Sequence, residues 1–493
     1  MKLHGPLIPT LSLAAGIAAS YIAGMQWWIG VFPIVVAIGL YLYILYSSSN
    51  PIAAFKVGKL HIVWVILLFL GIGLIDESLN RPLSIDESFG GERPDFVACE
   101  VSGVLSKTYG DRIEVEILGT NGAKARIRSG VTDLAPGDII RIPSKSLIEI
   151  SKDTTEIGQK IAPMMKAKGF LYSGRIYPKY IEHIGVSQSP LYLFINIREK
   201  IESNIENSHL AKPTCNFINA ILMGDKTGID ENTRLTFASG GTAHMLALSG
   251  LHLGILAGFL LFLLIPIKYT GKYKVGYILA IVLLWLYVLL TGMSYSSVRA
   301  CIMLTLAFSA IILERRNYAG NALCSSILLI LLFDPLALFD AGFQLSVVCV
   351  GALILFSPPL NPIDQRRHHL LFEICGAIIT TIVATAASWV LTSYYFSQIP
   401  LMFLPANLLL LPLLPSYLAA AFIFVLLLCC GVEFHLLGRF LDYGYNFLIW
   451  ATEKLSNGTE FVVDYQISIW GVATWLLALV VAACYLNRKQ ILE

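Results

Sequence analysis

The chain has 493 residues, 56% of them hydrophobic and only 14% charged, with a mean hydropathy of +0.70. Soluble domains carry about a quarter charged residues, so this composition excludes an ordinary soluble protein and points to a polytopic membrane protein. A formal net charge of +2 implies no partner by itself. The nine cysteines lie mostly in apolar runs (Cys324, Cys375, Cys429, Cys430) and read as small buried hydrophobes rather than metal ligands.

Apolar runs of about 17–25 residues mark candidate spans. Three come early, near Leu7–Ala23, Trp28–Tyr46 and Leu60–Ile75. The first resembles a signal h-region behind Lys2, but two spans follow closely, so it reads as an uncleaved helix. After a polar interval, spans are predicted near Ala243–Ile265, Val275–Leu290, Ser297–Leu313, Ala319–Phe333, Gly342–Phe356 and Ile374–Tyr394. A last group lies near Pro415–Cys430, Leu436–Leu455 and Ile467–Leu486. Leu401–Leu414 is too short and too rich in proline to cross, and reads as re-entrant or broken helix. The fold class is therefore an α-helical membrane protein of about twelve spans plus a β-rich domain.

Lys2, Lys56, Lys59, the Lys268/Lys272/Lys274 cluster, Arg315–Arg316, Arg366–Arg367 and Arg488–Lys489 all fall on one side of this map. By the positive-inside rule that side is cytoplasmic, as are both ends of the chain, and the polar interval lies outside.

That interval contains short runs of β-branched and aromatic residues, punctuated by turns at Gly110-Asp111, Asn121-Gly122 and Pro136-Gly137. About five strands suit a small barrel such as an OB-fold, though fold alone does not give function. Arg126 and Arg128 share one face by their two-residue spacing. Tyr109, Tyr172 and Tyr177 could stack bases beside them. The plainer alternative is a solvated strand face, since Glu114, Glu116 and Asp138 nearly balance the cations. Beyond the barrel, Leu193, Ile197, Ile201 and Ile205 recur every four residues and predict an amphipathic helix in the outer interface, or a mere connector. The expected organisation is N-terminal spans over 1–77, the β domain over 78–188, a connector over 189–240 and a membrane core over 241–493.

Polar groups inside spans are expensive and need a reason. In "GTAHMLALSGLHLG", His244 and His252 are eight residues apart and about two helical turns from one another. That spacing is a poor fit to a shared metal. Ser249-Gly250 with His252 nearby invites a serine-nucleophile reading, but Ala247 leaves the G-x-S-G pattern incomplete. Two structural alternatives remain: small residues that permit close helix packing, or a helix interrupted at Ser-Gly so that freed backbone lines a wet path. Arg299 sits about a turn into a later span, Asp340 and Gln344 lie at a span's outer end, and Gln398 and Asn407 lie in the broken region. Several polar groups at one level suggest a conduit entered from outside.

The stretches "AHMLALSGLHLG", "TGMSYSSVRACIM", "LFDAGFQLSVVCVGA" and "SQIPLMFLPANLLLLPL", with "ILMGDKTGID" upstream, resemble the ComEC family of competence proteins over about residues 220–415. The resemblance implies an inner-membrane bacterial channel that passes single-stranded DNA into the cytoplasm in natural transformation. It also implies an external OB-fold domain, the lipid bilayer as surroundings, and other DNA-uptake proteins as partners. Tyr295 stands where that family is expected to carry proline, which weakens the helix break there. Many family members continue into a metallo-β-lactamase-like domain. No H-x-H-x-D cluster occurs here, so neither metal, cofactor nor nuclease activity is expected of this chain; either a separate nuclease supplies that activity or the chain moves DNA already processed. The expected path-lining residues are His244, Ser249, Gly250, His252, Arg299, Asp340, Gln344, Gln398 and Asn407, with Arg299 either the phosphate contact or the partner of Asp340 or another carboxylate in a salt bridge. The expected DNA contacts on the β domain are Arg126, Arg128, Tyr109 and Tyr172. A transporter for another polar solute and an intramembrane serine hydrolase are the competing classes.

Overall fold

A computed structural model describes residues 6–24, 26–47, 60–91, 93–105, 112–129, 134–152, 162, 165–166, 168–187, 189, 191–246, 248–269, 273–315, 319–360, 369–400, 402–456, 462–465 and 467–486. Its contacts divide it into two units, one of residues 3–192 with 324–344 and one of residues 193–323 with 345–493.

The first unit begins with helices α1 (Leu7–Ala23), α2 (Trp27–Ser47) and α3 (Leu60–Asn80). Glycines let these backbones touch. A side chain at Gly16 would collide with the Leu70 carbonyl, one at Gly73 with the Leu13 carbonyl, and one at Gly71 would lie 2.7 Å from the Gly30 carbonyl. Small residues at crossings are how helices gain contact where no hydrophobic drive exists between them. A one-turn helix, α4 (Ile85–Ser88), follows. Its Ser84 and Glu87 form a reciprocal capping box.

Seven strands come next: β1 (Phe96–Leu105), β2 (Arg112–Ile117), β3 (Lys124–Arg128), β4 (Asp138–Pro143), β5 (Leu147–Glu149), β6 (Phe170–Arg175) and β7 (Glu182–Val186). They form one mixed sheet in the order β5-β6-β3-β2-β1-β4-β7. β1, β2 and β3 make an antiparallel meander, and β6 joins β3 in parallel. Alternation sends Val97, Cys99, Val101, Ile113, Val115, Ile117, Ala125 and Ile127 to one buried face.

The second unit is helical: α5 (Leu191–Glu206), α6 (Lys212–Ile218), α7 (Glu231–Ser239), α8 (Gly250–Leu263), α9 (Ile265–Tyr269), α10 (Tyr273–Leu290), α11 (Tyr295–Ile312), α12 (Ala319–Phe333), α13 (Ala341–Leu360) and α14 (His369–Phe396). α12 and α13 cross the boundary: residues 319–323 and 345–360 belong to this unit, residues 324–333 and 341–344 to the first. Strand β8 (Gln398–Pro400), helices α15 (Phe403–Leu410), α16 (Leu414–Cys429) and α17 (His435–Ser456), strand β9 (Val462–Asp464) and helix α18 (Ile469–Leu486) complete the chain. The stripe expected on α5 is graded, from exposed Leu193 to buried Ile205. The broken segment expected over residues 401–414 is the short α15 and the turn into α16. A two-stranded ladder pairs Gln398 with Asp464 and Pro400 with Val462.

By length and composition, three helical stretches among the described residues can cross a membrane: Tyr273–Leu290, Tyr295–Ile312 and Ile378–Phe396. Shorter apolar helices run over Leu7–Ala23, Trp28–Tyr41, Gly250–Leu263, Ala319–Phe333, Ala341–Phe356, Leu414–Cys429 and Trp470–Ala483. The expected span Leu436–Leu455 differs in character. Leu436, Phe440, Tyr443, Phe447 and Trp450 recur every three or four residues and are exposed, while Leu441, Tyr445, Leu448 and Ala451 are buried. With Arg439, Asp442, Glu453 and Lys454 in the same helix, α17 is amphipathic rather than uniformly apolar.

Candidate functional site

The interruption expected at "ALSG" is present. Ala243–Leu246 form a single 3-10 turn, Leu248 and Ser249 are not helical, and α8 starts at Gly250. Ser249 is the N-cap of α8 in extended conformation, but its side chain makes no capping bond. Its Oγ lies 2.8 Å from Nδ1 of His252 instead. The first-turn amides of α8 therefore lack the partner a serine cap ordinarily provides. They form the positive end of a fourteen-residue helix. His252 is buried, and its Nε2 has no partner among the described residues. His244, on the 3-10 turn, is exposed.

Arg299 lies beside that helix start. A Cβ on Gly250 would sit 3.7 Å from Nη2 of Arg299 and 3.5 Å from the Ala300 Cβ, which is ordinary contact. Arg299 is 3% exposed. Nη2 donates to the hydroxyl of Ser346 on α13 and Nη1 lies 3.5 Å from Sδ of Met303, while Nε has no partner among the described residues. Ser346 Oγ in turn lies 3.3 Å from Ser296 Oγ. The partners found for this buried guanidinium are all neutral.

The turn that delivers Arg299 is built locally. α10 ends at Leu290, Gly292 and Met293 take positive φ of 82° and 52°, and α11 begins at Tyr295. Positive φ is uncommon for a residue that, like Met293, is not glycine. The break survives without proline because Ser294 caps α11, accepting from the Ser297 amide at 3.3 Å.

Other expected path-lining residues have structural duties. Asp340 accepts from the Phe343 amide at 2.9 Å, which caps the start of α13, and its other oxygen is 3.9 Å from Nζ of Lys168. Gln344 donates to the Leu338 carbonyl at 2.8 Å. Both groups are engaged within the first unit. Asn407 is buried on α15 with Oδ1 lacking a partner among the described residues. Gln398 lies in β8.

On the sheet, Arg126 and Arg128 do share a face, as spaced. Arg126 is neutralised: Glu114, its cross-strand neighbour, accepts from Nε at 3.1 Å and from Nη2 at 2.6 Å. Arg128 is exposed, between Arg112 on β2 and Arg175 on β6 in the register. Tyr172 cannot stack a base, because it is 1% exposed in the sheet's core with its hydroxyl accepting from the Ile85 amide at 2.7 Å. Tyr177 is exposed, and Tyr109 lies outside the described residues.

Sequence reasoning missed a one-turn π-helix at Asn219–Met223, directly before Gly224. A π-turn leaves backbone groups misaligned and is frequent at functional sites. Here Tyr287 donates to the Leu222 carbonyl at 2.6 Å. The only local signal is Gly224, which adopts φ of 78°.

Residues 221–489 match the family described as Competence protein, more than half of the chain. The chain belongs to the Competence protein family. The matched region contains the α8 interruption and Arg299. "ComE operon protein 3" of Bacillus subtilis (strain 168) is 30% identical over 298 residues, covering 58% of this chain and 36% of that protein. "Recombination protein 2" of Haemophilus influenzae is 29% identical over 143 residues, covering 28% of this chain and 18% of that protein. This member of the Competence protein family thus matches well under two thirds of the length of either relative. No solved structure matches the chain.

Proposed function

We propose that this chain is an inner-membrane channel that passes single-stranded DNA into the cytoplasm, with both termini cytoplasmic and the sheet domain outside. One observation carries the reading: a buried arginine with only neutral partners found, set against an uncapped helix N-terminus. Burying a guanidinium costs at least about 2.5–3.5 kcal/mol on insertion scales, and a carboxylate is its ordinary compensation. A backbone phosphate supplies the missing charge, accepts from the planar fork and also suits helix-start amides. Such a contact must stay weak enough to release, which a single cation provides and a cluster would not. The sheet, with its β1–β2–β3 meander and parallel β3–β6 pair, reads as an OB-fold-like receiver for the strand. Other uptake proteins are the expected partners.

The test is Arg299→Gln in the native host. The protein should insert at normal abundance, and fluorescent DNA should enter the space outside the membrane without reaching the cytosol. Normal transformation at normal abundance would sink the phosphate role.

A second reading has its own observation, the Ser249–His252 contact of 2.8 Å. It is the geometry of a nucleophile and base. Against it, the second imidazole nitrogen has no orienting partner among the described residues. Labelling of Ser249 by a fluorophosphonate probe would favour the hydrolase.

A further inference from the structure

Two turns distant in sequence meet in the helical unit. His209 follows α5; Glu433, 224 residues later, precedes α17, and His435 opens it. Glu433 Oε1 accepts from the His209 amide at 2.8 Å and lies 2.6 Å from the His209 ring Nδ1. These two bonds, the ring's first, hold the Glu433 carboxyl below its ordinary range. The His435 ring stacks on that of His209, centroids 4.3 Å apart and planes within 12°. Glu433 lies in the non-helical stretch 432–434, and His435 is the first residue of α17.

Nothing in the DNA reading uses this cluster. The hydrogen bond from the His209 ring to Glu433 does not require the second ring at all. Gly438 shows how closely the first ring is seated: a side chain there would collide with Nε2 of His209. That nitrogen faces the α17 backbone, which leaves Nδ1 as the ligand atom. One donor atom from each of the three residues lies within 4.8 Å of the others.

We infer that His209, Glu433 and His435 form a binding site for a divalent transition metal of the zinc class, which ties the turn after α5 to the turn before α17. Two imidazoles and a carboxylate suit zinc, copper or nickel better than magnesium or calcium, which prefer all-oxygen sets. Metal bonds of about 2.0–2.2 Å put tetrahedral ligands roughly 3.3 Å apart. The Nδ1–Oε1 pair must therefore open by less than an ångström or so when metal replaces the shared proton, and His435 must close in. Side-chain exposures of 24% for His209 and 41% for Glu433 permit that adjustment and leave the fourth position to water. The sequence spacing could not reveal the set, since only two of its members are neighbours in the chain.

The test uses the full chain in nanodiscs, stripped with chelator and titrated with zinc chloride and with cobalt chloride. One equivalent of zinc should bind saturably and raise the melting temperature. The cobalt form should show tetrahedral d–d bands without a thiolate charge-transfer band, which separates this site from the cysteines. His435→Asn should weaken binding more than about tenfold, the low end of what even an outer-shell partner contributes. Glu433→Gln should do the same, so the result does not hang on one variant. Both side chains are at the surface, and each variant should melt like the metal-free parent. Absence of saturable binding, a thiolate band, or wild-type affinity in either variant would overturn the assignment.

Discussion

The sheet domain offers a sharp contrast between two arginines that the sequence makes look equivalent. Arg126 is matched by Glu114 directly across the β2–β3 ladder and lies over the Phe170 ring at 5.1 Å. Arg128 is exposed and lies opposite Arg175, also exposed, on the neighbouring strand β6. Like charges opposite one another on strands repel, so this end of the sheet gains from an anion. If the domain receives single-stranded DNA, Arg128→Glu should weaken binding and reduce the slope of log K against log salt by about 0.7, the value of one phosphate contact on a single strand. Arg126→Glu should leave that slope unchanged, because its charge is already spent on Glu114. Its cost should appear as stability instead. A half-exposed ion pair contributes at most about 1 kcal/mol, and two glutamates facing each other across the ladder add roughly 0.2–1 kcal/mol, so about 1–2 kcal/mol should be lost. Fluorescence anisotropy of a labelled strand on the full chain in nanodiscs, across a salt series, reads the first quantity, and thermal melting reads the second. An equal fall in slope for both variants, or no fall for Arg128→Glu, would refute the reasoning.

Other outcomes follow from single contacts. Gly73→Val should drive α1 from α3 by collision with the Leu13 carbonyl, at about 1–3 kcal/mol for overpacking, and lower membrane abundance. Gly39→Val, with open space around it, should not, and immunoblotting of membranes compares the two. Tyr172→Phe should leave the Ile85 amide without its acceptor and cost about 1–3 kcal/mol, seen as a lower denaturation midpoint. Burial pushes the Cys99 thiol up to about 12, so at pH 8 it is protonated as well as enclosed. A maleimide should modify Cys99 only after unfolding, whereas exposed Cys429 and Cys430 react at once, and rapid labelling of Cys99 in the folded chain, located by peptide mapping, would contradict the sheet's register.

Local patterns in the chain settled much of this molecule. Sparse charge and long apolar runs required a membrane protein, and Gly-Asn turns between β-branched runs required a sheet. Ser249-Gly250 and the glycine and serines after Leu290 made helix breaks readable as one alternative, because capping and positive φ are preferences of a few adjacent residues. The strand alternation that puts Arg126 and Arg128 on one face was equally local. Tertiary structure decided what those residues do. A strand's period of two does not say which neighbour lies opposite, so only the register shows that Glu114 cancels Arg126 and that Tyr172 points inward. Asp340 carries the same charge whether it caps α13 or lines a path, and only its contacts with Phe343 and Lys168 separate the two. α17 has enough apolar residues to look like a span, and its two faces become visible only when one of them packs. The His209, Glu433 and His435 cluster joins turns 224 residues apart. No local preference spans that distance, so packing of the whole helical unit alone brings those donors together.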